Sequence, residues 1–291
     1  MNEELFIAVD GGASSTRVRV ADQRGPRAER SAGASSLTLL GAEAWSVIRG
    51  ALTEAGVDEA QLGRAHLGLG LAGANDRRQR EAFLAAAPRV AGLALATDAY
   101  AALLGAHAGT PGAIVIAGTG SVGCRLLPDG RLRLVGGWGF PVGDEGSGAW
   151  IGRRAIGLAL KALDGRAPDG PLARTVREHC GQWRDDLLDW LRGARSTRYA
   201  ELAPLVLAHA AAGETAAVAL LAEAGRELDG LASALDPTRA TPLALLGGLA
   251  GPLAPYLPPA LTQWARPPRG DALDGALRLA RGEAPPERLL P

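Results

Sequence analysis

The chain has 291 residues, 47% of them hydrophobic, which is enough to bury a large core in two domains. Its 31 lysines and arginines balance 31 aspartates and glutamates, so the net charge does not indicate a nucleic-acid-binding surface. No apolar run reaches membrane-spanning length, and the N-terminus lacks the basic and apolar regions of a signal peptide. We therefore expect no nucleic-acid partner, no membrane partner and a cytoplasmic location.

The two cysteines support that location. Cys124 and Cys180 are far apart and no CxxC pair exists, which excludes a zinc ribbon or a thioredoxin-type motif. One disulfide is possible but is not needed in a chain of this size, so a reducing compartment is the simpler interpretation.

The first 110 residues alternate predicted strands and helices. Residues 5–9 form an apolar run, and residues 17–22 alternate with period two, so the two segments predict a β-hairpin around a small-residue loop. The next predicted elements are a helix over 43–55, a strand over 65–69, a helix over 77–87, a strand over 93–97 and a helix over 99–108.

The pattern then starts again. A buried-type strand over 112–117 ends in a Gly/Ser/Thr loop, and residues 131–135 are predicted as the second arm of that hairpin. The repeat indicates an internal duplication with two α/β lobes, 1–110 and 111–291. Within the second lobe we predict a helical region over 149–235, a strand over 243–246 and a helix over 272–280. This last helix, about 272–282, can return to the first lobe.

The first hairpin loop contains Asp10, Gly11, Gly12, Ala13, Ser14, Ser15 and Thr16. Glycines let the backbone approach a phosphate closely and hydroxyls add donors, while Asp10 would bind Mg²⁺ directly or through water. The alternative is an ordinary tight turn, for which Asp-Gly is a common signal. The segment is not a Walker A motif.

The second hairpin loop has the same chemistry. Gly118, Thr119, Gly120 and Ser121 follow the strand over 112–117. Two such loops in duplicated lobes predict two phosphate-binding loops that face each other across a cleft.

Asp98 follows an apolar strand and precedes a helix. A carboxylate at the carboxyl end of a parallel strand points into the usual ligand crevice, where it could accept a proton from a substrate hydroxyl. The alternative is a helix N-cap, a position that aspartate often fills.

Residues 136–148 form a glycine-rich segment around Trp138. Here Asp144 would bind sugar hydroxyls and Trp138 would form an apolar wall. The alternative is that Asp144 and its neighbours only begin the next helix.

Gly247 and Gly248 follow the late strand, where adenine could lie against the backbone; the alternative is a plain strand-to-helix turn. The four histidines lack metal-site spacing, and we expect them to be structural or exposed. At helical positions, core roles are predicted for Trp45, Trp183 and Trp190.

Together these motifs resemble the actin/hexokinase/Hsp70 superfamily over nearly the whole chain. Within it, the sequence is similar to N-acetylglucosamine kinases and glucosamine kinases, in the group that includes the activator ATPases of benzoyl-CoA reductase and acyl-CoA dehydratases. The resemblance implies an α/β fold with two RNase H-like lobes, the duplicated actin-like ATPase fold, flanking a central cleft.

The resemblance also implies site residues. Gly11 to Thr16 match the first phosphate motif, Gly118 to Ser121 the second, and Gly247 and Gly248 the adenosine motif. Asp98 matches the base that activates the sugar 6-hydroxyl. The sugar-binding segment is matched by Gly137, Trp138 and Asp144, with Ser36 in the region that faces the acetamido group.

The implied function is ATP-dependent phosphorylation of an amino sugar, first N-acetylglucosamine, with Mg²⁺ as the metal and a homodimer as the assembly. The sequence departs from the family at Ser15, where a basic residue is frequent, and over Gly33 to Leu37, where an asparagine is expected. The second departure keeps glucosamine open as the substrate. An activator-type ATPase acting on a protein partner is the other alternative, although Cys124 and Cys180 do not resemble its iron–sulfur cysteine pair.

Overall fold

A computed structural model describes residues 4–290. The first three residues, which belong to the segment inspected for a signal peptide, lie outside this range. The chain forms two compact units. The first contains the residues up to Gly112, Cys124–Arg133 and the residues from Pro267 onward; the second contains Ala113–Gly123 and Leu134–Arg266.

The predicted N-terminal elements are present within a few residues of their expected bounds, and the structure adds the strand Gly25–Ala32 and two short helices, Leu37–Leu40 and Glu59–Leu62. The elements are, in order, β1 (Phe6–Gly11), β2 (Thr16–Asp22), β3 (Gly25–Ala32), α1 (Leu37–Leu40), α2 (Ala44–Glu54), α3 (Glu59–Leu62), β4 (His66–Leu71), α4 (Arg77–Ala85), β5 (Gly92–Ala96) and α5 (Asp98–Ala106).

These strands form one sheet in the order β3-β2-β1-β4-β5. β1 pairs antiparallel with β2, which confirms the first hairpin, and β4 and β5 run parallel to β1. β3 was not expected from the sequence because half of its residues are polar or charged and none is buried. It forms through backbone pairing with β2 at the edge of the sheet.

The two faces of this sheet pack differently because side chains alternate along each strand. One face buries large apolar side chains against α2 and α4, with Ile7, Trp45 and Phe83 in the same cluster. The other face carries small residues. In β4, a Cβ on Gly68 would lie 1.9 Å from the Ala276 carbonyl oxygen, so only glycine allows a helix backbone to come this close.

That helix is α14 (Ala272–Ala280), which packs against β1, β4 and α5. It crosses α5 at glycines. A Cβ on Gly105 would lie 1.8 Å from the Asp271 carbonyl oxygen, and one on Gly275 would lie 1.8 Å from that of Ala101. The crossing holds α5, and with it the segment that contains Asp98, firmly against the sheet.

The second sheet has the order β8-β7-β6-β9, with β6 (Gly112–Ala117), β7 (Ser121–Leu126), β8 (Leu132–Gly136) and β9 (Leu243–Leu246). This order repeats the first four strands of the other sheet and agrees with the expected duplication. The prediction for residues 131–135 was wrong in one respect. The strand next to β6 is β7, and β8 pairs with β7, because the short loop after β6 returns the chain at once.

Helices fill the region between β8 and β9, as predicted. Their bounds are α6 (Gly148–Leu163), α7 (Pro171–Cys180), α8 (Arg184–Arg192), α9 (Ser196–Ala200), α10 (Ala203–Ala211) and α11 (Thr215–Leu235); α12 (Ala250–Leu253) and α13 (Pro259–Trp264) follow β9. The main core of the second unit lies among them.

The tryptophan prediction is only partly confirmed. Trp45 and Trp190 are each 5% exposed, whereas Trp183 is 74% exposed because it precedes α8 and points away from the core. Within residues 4–290, no single helix is long and apolar enough to cross a membrane. Residues Ser196–Ala211 and Thr215–Leu235 meet those criteria only as a pair, and they are bent by 119°.

Candidate active site

The turn of the β1–β2 hairpin exposes its tip and is tightly packed at its base. A Cβ on Gly11 would lie 2.1 Å from Ser35 Oγ and 2.5 Å from a Leu71 methyl carbon, so the packing behind the loop requires glycine. The Gly12 N–H donates to the Ser15 carbonyl over 2.9 Å, which closes the turn. The three residues after Gly12 are exposed, so their backbone can reach a ligand.

The segment 33–36 supports this turn from behind. The Thr16 hydroxyl is fully buried and lies 2.6 Å from both the Gly33 carbonyl oxygen and Ser35 Oγ. The Gly12 carbonyl accepts N–H groups from Ser35 and Ser36, each over 3.1 Å, and Ser36 is 2% exposed. The Thr16 hydroxyl is therefore used inside the protein, and buried Ser36 belongs to the segment that holds the turn in place.

Asp10 lies at the end of β1 in an ion pair. Arg17 donates to Asp10 Oδ2 from Nε over 3.2 Å and from Nη2 over 2.8 Å, and its Nη1 donates to Asp271 Oδ2 over 2.8 Å. Both bonds to Asp10 use Oδ2. Oδ1 is therefore not part of this ion pair and can face a cation.

Asp98 begins α5 without capping it. The N-cap is Thr97, whose hydroxyl accepts the Tyr100 N–H over 3.2 Å. Asp98 Oδ1 accepts the N–H of its neighbour Ala99 over 2.9 Å. The helix-cap alternative for Asp98 therefore does not hold, and the carboxylate stands at the carboxyl end of β5 with its second oxygen outside that bond.

The surroundings of Asp98 favour its protonated form. Burial raises the pKa of Asp98, and the negative charges of Asp10 and Glu287 raise it further, against the opposing hydrogen bond from Ala99. A carboxylate with a raised pKa binds a proton more strongly, which is the property that a general base working near neutral pH requires.

In the second unit, the loop after β6 is joined to the start of α6. The Gly118 N–H donates to the Gly120 carbonyl over 2.9 Å. The Gly148 and Ala149 N–H groups, in the first turn of α6, donate to the carbonyls of Gly118 and Thr119. These bonds fix the loop carbonyls on the helix side.

Asp144 holds the same loop from another direction. Its backbone is left-handed (φ 61°), and its Oδ1 accepts the Ser121 N–H over 3.2 Å. The Ser121 hydroxyl donates to the Glu145 carbonyl, and a Cβ on Gly120 would lie 2.9 Å from Asp144 Oδ1. Burial, and secondarily the charge of Glu145, raises the pKa of Asp144. The carboxylate expected to bind sugar thus also orders the second hairpin loop.

Trp138 stands out on a glycine-framed loop. Its side chain is 86% exposed, and Val142 is 87% exposed. Gly137 and Gly139 have φ of 71° and 82°, values that favour glycine and that turn the chain on both sides of the tryptophan. An exposed aromatic ring beside an exposed aliphatic residue can form the apolar wall of a sugar subsite.

The two glycines in the turn after β9 have different surroundings. Gly247 has φ 91°, and a Cβ there would lie 2.3 Å from the Ala117 carbonyl oxygen, which also accepts the Leu249 N–H over 3.0 Å. Gly248 has no atom within 4 Å of its Cβ position. Gly247 is needed by the turn, and Gly248 leaves open space above it.

These features match a known family. A model of the BadF/BadG/BcrA/BcrD ATPase family covers residues 7–252. The chain belongs to this family. Use of ATP follows from that membership, and the sequence-based assignment to this group is confirmed.

Individual relatives agree with this family. The glucosamine kinase GspK of Vibrio cholerae is 36% identical over 280 residues, which cover 94% of this chain and 95% of the relative. A solved structure of a candidate N-acetylglucosamine kinase from Chromobacterium violaceum is 44% identical, with a TM-score of 0.90 over 95% of this chain and 98% of that one.

A ROK family glucokinase from Streptomyces griseus shares the fold, with a TM-score of 0.54 at 17% identity over 96% of this chain and 99% of that one. The prediction of an α/β, actin-like ATPase fold is confirmed.

In this ATPase-family chain, sequence analysis missed three residues near the proposed site. Thr97 could have been found, because a threonine between a strand and a helix is a typical cap. Arg17 was visible only as a polar position in β2. Glu287 gave no local signal, since it lies 190 positions from the Thr97 that it contacts.

The carboxylates near the hairpin loops suit an Mg²⁺ ion bound together with a nucleotide better than a metal ion held by protein ligands alone. Within residues 4–290, no group of three or more His, Cys, Asp or Glu side chains could hold a metal ion. Mg²⁺ bound with a nucleotide needs only one or two carboxylates, because phosphates and waters supply its other ligands. Asp10 Oδ1 is suited to that role.

Proposed function

We propose that this chain is an ATP-dependent kinase that phosphorylates the 6-hydroxyl of an amino sugar. N-acetylglucosamine is the first candidate acceptor and glucosamine the second. The named activities of the two relatives with 36% and 44% identity support an amino-sugar acceptor.

The observation that carries the proposal is the position of Asp98. It is a partly buried carboxylate at the carboxyl end of a parallel strand, the adjacent Thr97 caps the helix in its place, and its pKa is raised. In the proposed reaction, Asp98 orients the sugar hydroxyl and accepts its proton as the hydroxyl oxygen attacks the terminal phosphorus of ATP; the bond from that phosphorus to the bridging oxygen breaks and ADP leaves.

The two loops would bind the phosphates of ATP. The N–H groups of Gly12, Gly118 and Ser121 donate within the protein, so the proposed phosphate donors are the backbone N–H groups at residues 13–14 and 119–120. Asp10 would bind the Mg²⁺ that travels with ATP, directly or through water. Gly248, above the Gly247 turn, would leave room for adenosine. Asp144 and the Trp138 ring, beside Gly137, would bind the sugar.

An activator-type ATPase acting on a protein partner is the competing function. Such a switch would need cysteines able to hold an iron–sulfur cluster. Cys124 is fully buried and Cys180 is 6% exposed, and burial raises the pKa of both thiols, that of Cys180 to about 11. Because thiolates, not thiols, bind metals, these two cysteines favour the kinase.

We also propose that the protein is cytoplasmic and forms a homodimer. Sedimentation velocity measures the oligomeric state directly. A single species at the mass of one chain, 29.8 kDa, would exclude the dimer.

The kinase itself is tested by ADP release with Mg·ATP and a panel of acceptors: N-acetylglucosamine, glucosamine, glucose, N-acetylmannosamine and no sugar. We expect one amino sugar to stimulate ADP release strongly, with its 6-phosphate recovered by mass spectrometry and NMR. Equal, slow hydrolysis with every acceptor would reject the kinase and favour the switch.

A further inference from the structure

After α14, the C-terminal segment 284–290, here called the tail, is bound to the rest of the first unit on both sides of Glu287. Before it, the Tyr100 hydroxyl donates to the Pro285 carbonyl over 2.7 Å. After it, the Leu132 N–H donates to the Arg288 carbonyl and the Leu290 N–H donates to the Leu132 carbonyl, each over 2.7 Å. The backbone around Glu287 is therefore placed by three hydrogen bonds.

Glu287 binds the residue next to Asp98 with both carboxylate oxygens. Oε2 accepts the Thr97 N–H over 3.0 Å, and Oε1 accepts the Thr97 hydroxyl over 2.6 Å. A hydroxyl has one proton, and here that proton goes to Glu287. The oxygen must then present a lone pair to the Tyr100 N–H, which is the bond that caps α5.

We propose that Glu287 is a positioning residue for Asp98: through its two bonds to Thr97 it fixes the first turn of α5 and the direction of the Asp98 carboxylate. This inference rests on the proposed kinase function of Asp98. Charge-assisted bonds to an anion are stronger than neutral ones, and a negative charge is favourable at a helix N-terminus, so the arrangement is stabilising without any ligand.

Glu287 is also one of few charges that act on Asp98. Asp10, in β1, is the other negative charge that acts on it. Asp271 is the N-cap of the neighbouring α14 and is paired with Arg17. β5 has no ionisable residue, and β4 has only His66, at the opposite end of the strand.

Removing the charge at Glu287 should therefore change the pKa of Asp98 in one direction. Its negative charge raises the pKa of Asp98, so Glu287→Gln lowers that pKa and weakens Asp98 as a base. A role confined to holding the tail would lower thermal stability and would leave the titration of Asp98 in place.

The test compares Glu287→Gln with Glu283→Gln in the full chain. Glu283 lies four positions earlier and pairs with Arg278 over 3.4 Å, so its variant is a matched loss of charge in the same part of the chain at a residue with a different partner. Two measurements are made on each: the pH dependence of kcat, and the titration of Asp98 by ¹³C NMR of labelled aspartate carboxyls without sugar or ATP. The Asp98 signal is assigned by its absence in Asp98→Asn.

For Glu287→Gln, we expect the Asp98 titration and the acid limb of kcat to move to lower pH. We also expect kcat to fall about tenfold, as small misplacements of a base do, with KM for the sugar changed by less than about twofold. Glu287→Asp keeps the charge but shortens the reach to Thr97, so it should lower kcat with a smaller movement of the titration. Glu283→Gln should match the wild type.

An unchanged Asp98 titration in folded Glu287→Gln, or an equal shift in Glu283→Gln, would overturn the inference. If the wild type phosphorylates no sugar, the proposed kinase function fails instead. The NMR titration still decides whether Glu287 acts on Asp98, because it needs no turnover.

Discussion

Replacing Asp98 with asparagine should lower activity and raise stability in the same protein. Asparagine keeps the size of the side chain and an oxygen that can accept the Ala99 N–H, which is 2.9 Å away in the wild type. It removes the carboxylate that would take the proton. The substitution therefore separates the chemistry of the site from its packing.

The magnitude for catalysis follows from the role. A positioned general base contributes about 10²- to 10⁴-fold to the rate, so kcat should fall by about that factor, or about 3 to 5.5 kcal/mol in the barrier. ATP binding should change little, because Asp98 lies on α5 and not on either hairpin loop.

The sign for stability follows from the raised pKa. Folding disfavours the charged form of Asp98, so ionisation costs stability as pH rises above its ordinary pKa of 3.8, and the cost is complete above the folded pKa. The neutral amide of Asp98→Asn has no such cost. The variant should be more stable than the wild type at neutral pH, and the difference should shrink as pH falls toward 3.8.

The assay combines sugar-stimulated ADP release with urea unfolding of both proteins at about pH 7 and at about pH 4, close to the ordinary pKa of 3.8, where the stability difference should be smallest. Near-normal kcat in Asp98→Asn would remove Asp98 from the mechanism. A variant less stable than the wild type at neutral pH would refute the electrostatic account of the site.

Two further predictions concern glycine and tryptophan. Trp138→Ala should raise the KM for the sugar about tenfold or more and change the KM for ATP less. Trp183 is also exposed, and Trp183→Ala should leave both KM values unchanged. Equal effects of the two substitutions would exclude a sugar-binding wall at Trp138. Gly105→Ala should destabilise by about 1–3 kcal/mol or more, since its Cβ would overlap the Asp271 carbonyl, while Gly50→Ala in α2, which has open space, should stabilise by up to about 1 kcal/mol. Urea unfolding measures both, and a stable Gly105→Ala would show that α5 and α14 can separate at little cost.

The local sequence pattern determines many of the strands, helices and loops of this protein. Strands such as β6 and β9 are apolar runs ended by glycine, and α14 has a regular apolar face, so their bounds can be read from neighbouring residues. The two hairpin loops and Asp98 were found in the same way, because each lies where a strand ends. β3 was not, since its residues do not show burial and its strand exists only through pairing with β2.

Tertiary structure alone decided how the side chains at these positions are used. The sequence places the Thr16 hydroxyl in a phosphate motif, but packing of residues 33–35 turns it inward. Gly11 is required by Ser35 behind it as well as by any ligand in front. Glu287 reaches Thr97 only because the chain returns to the first unit at Pro267, before α14. Contacts between residues so far apart in sequence form only when the whole chain has folded, and no local sequence pattern predicts them.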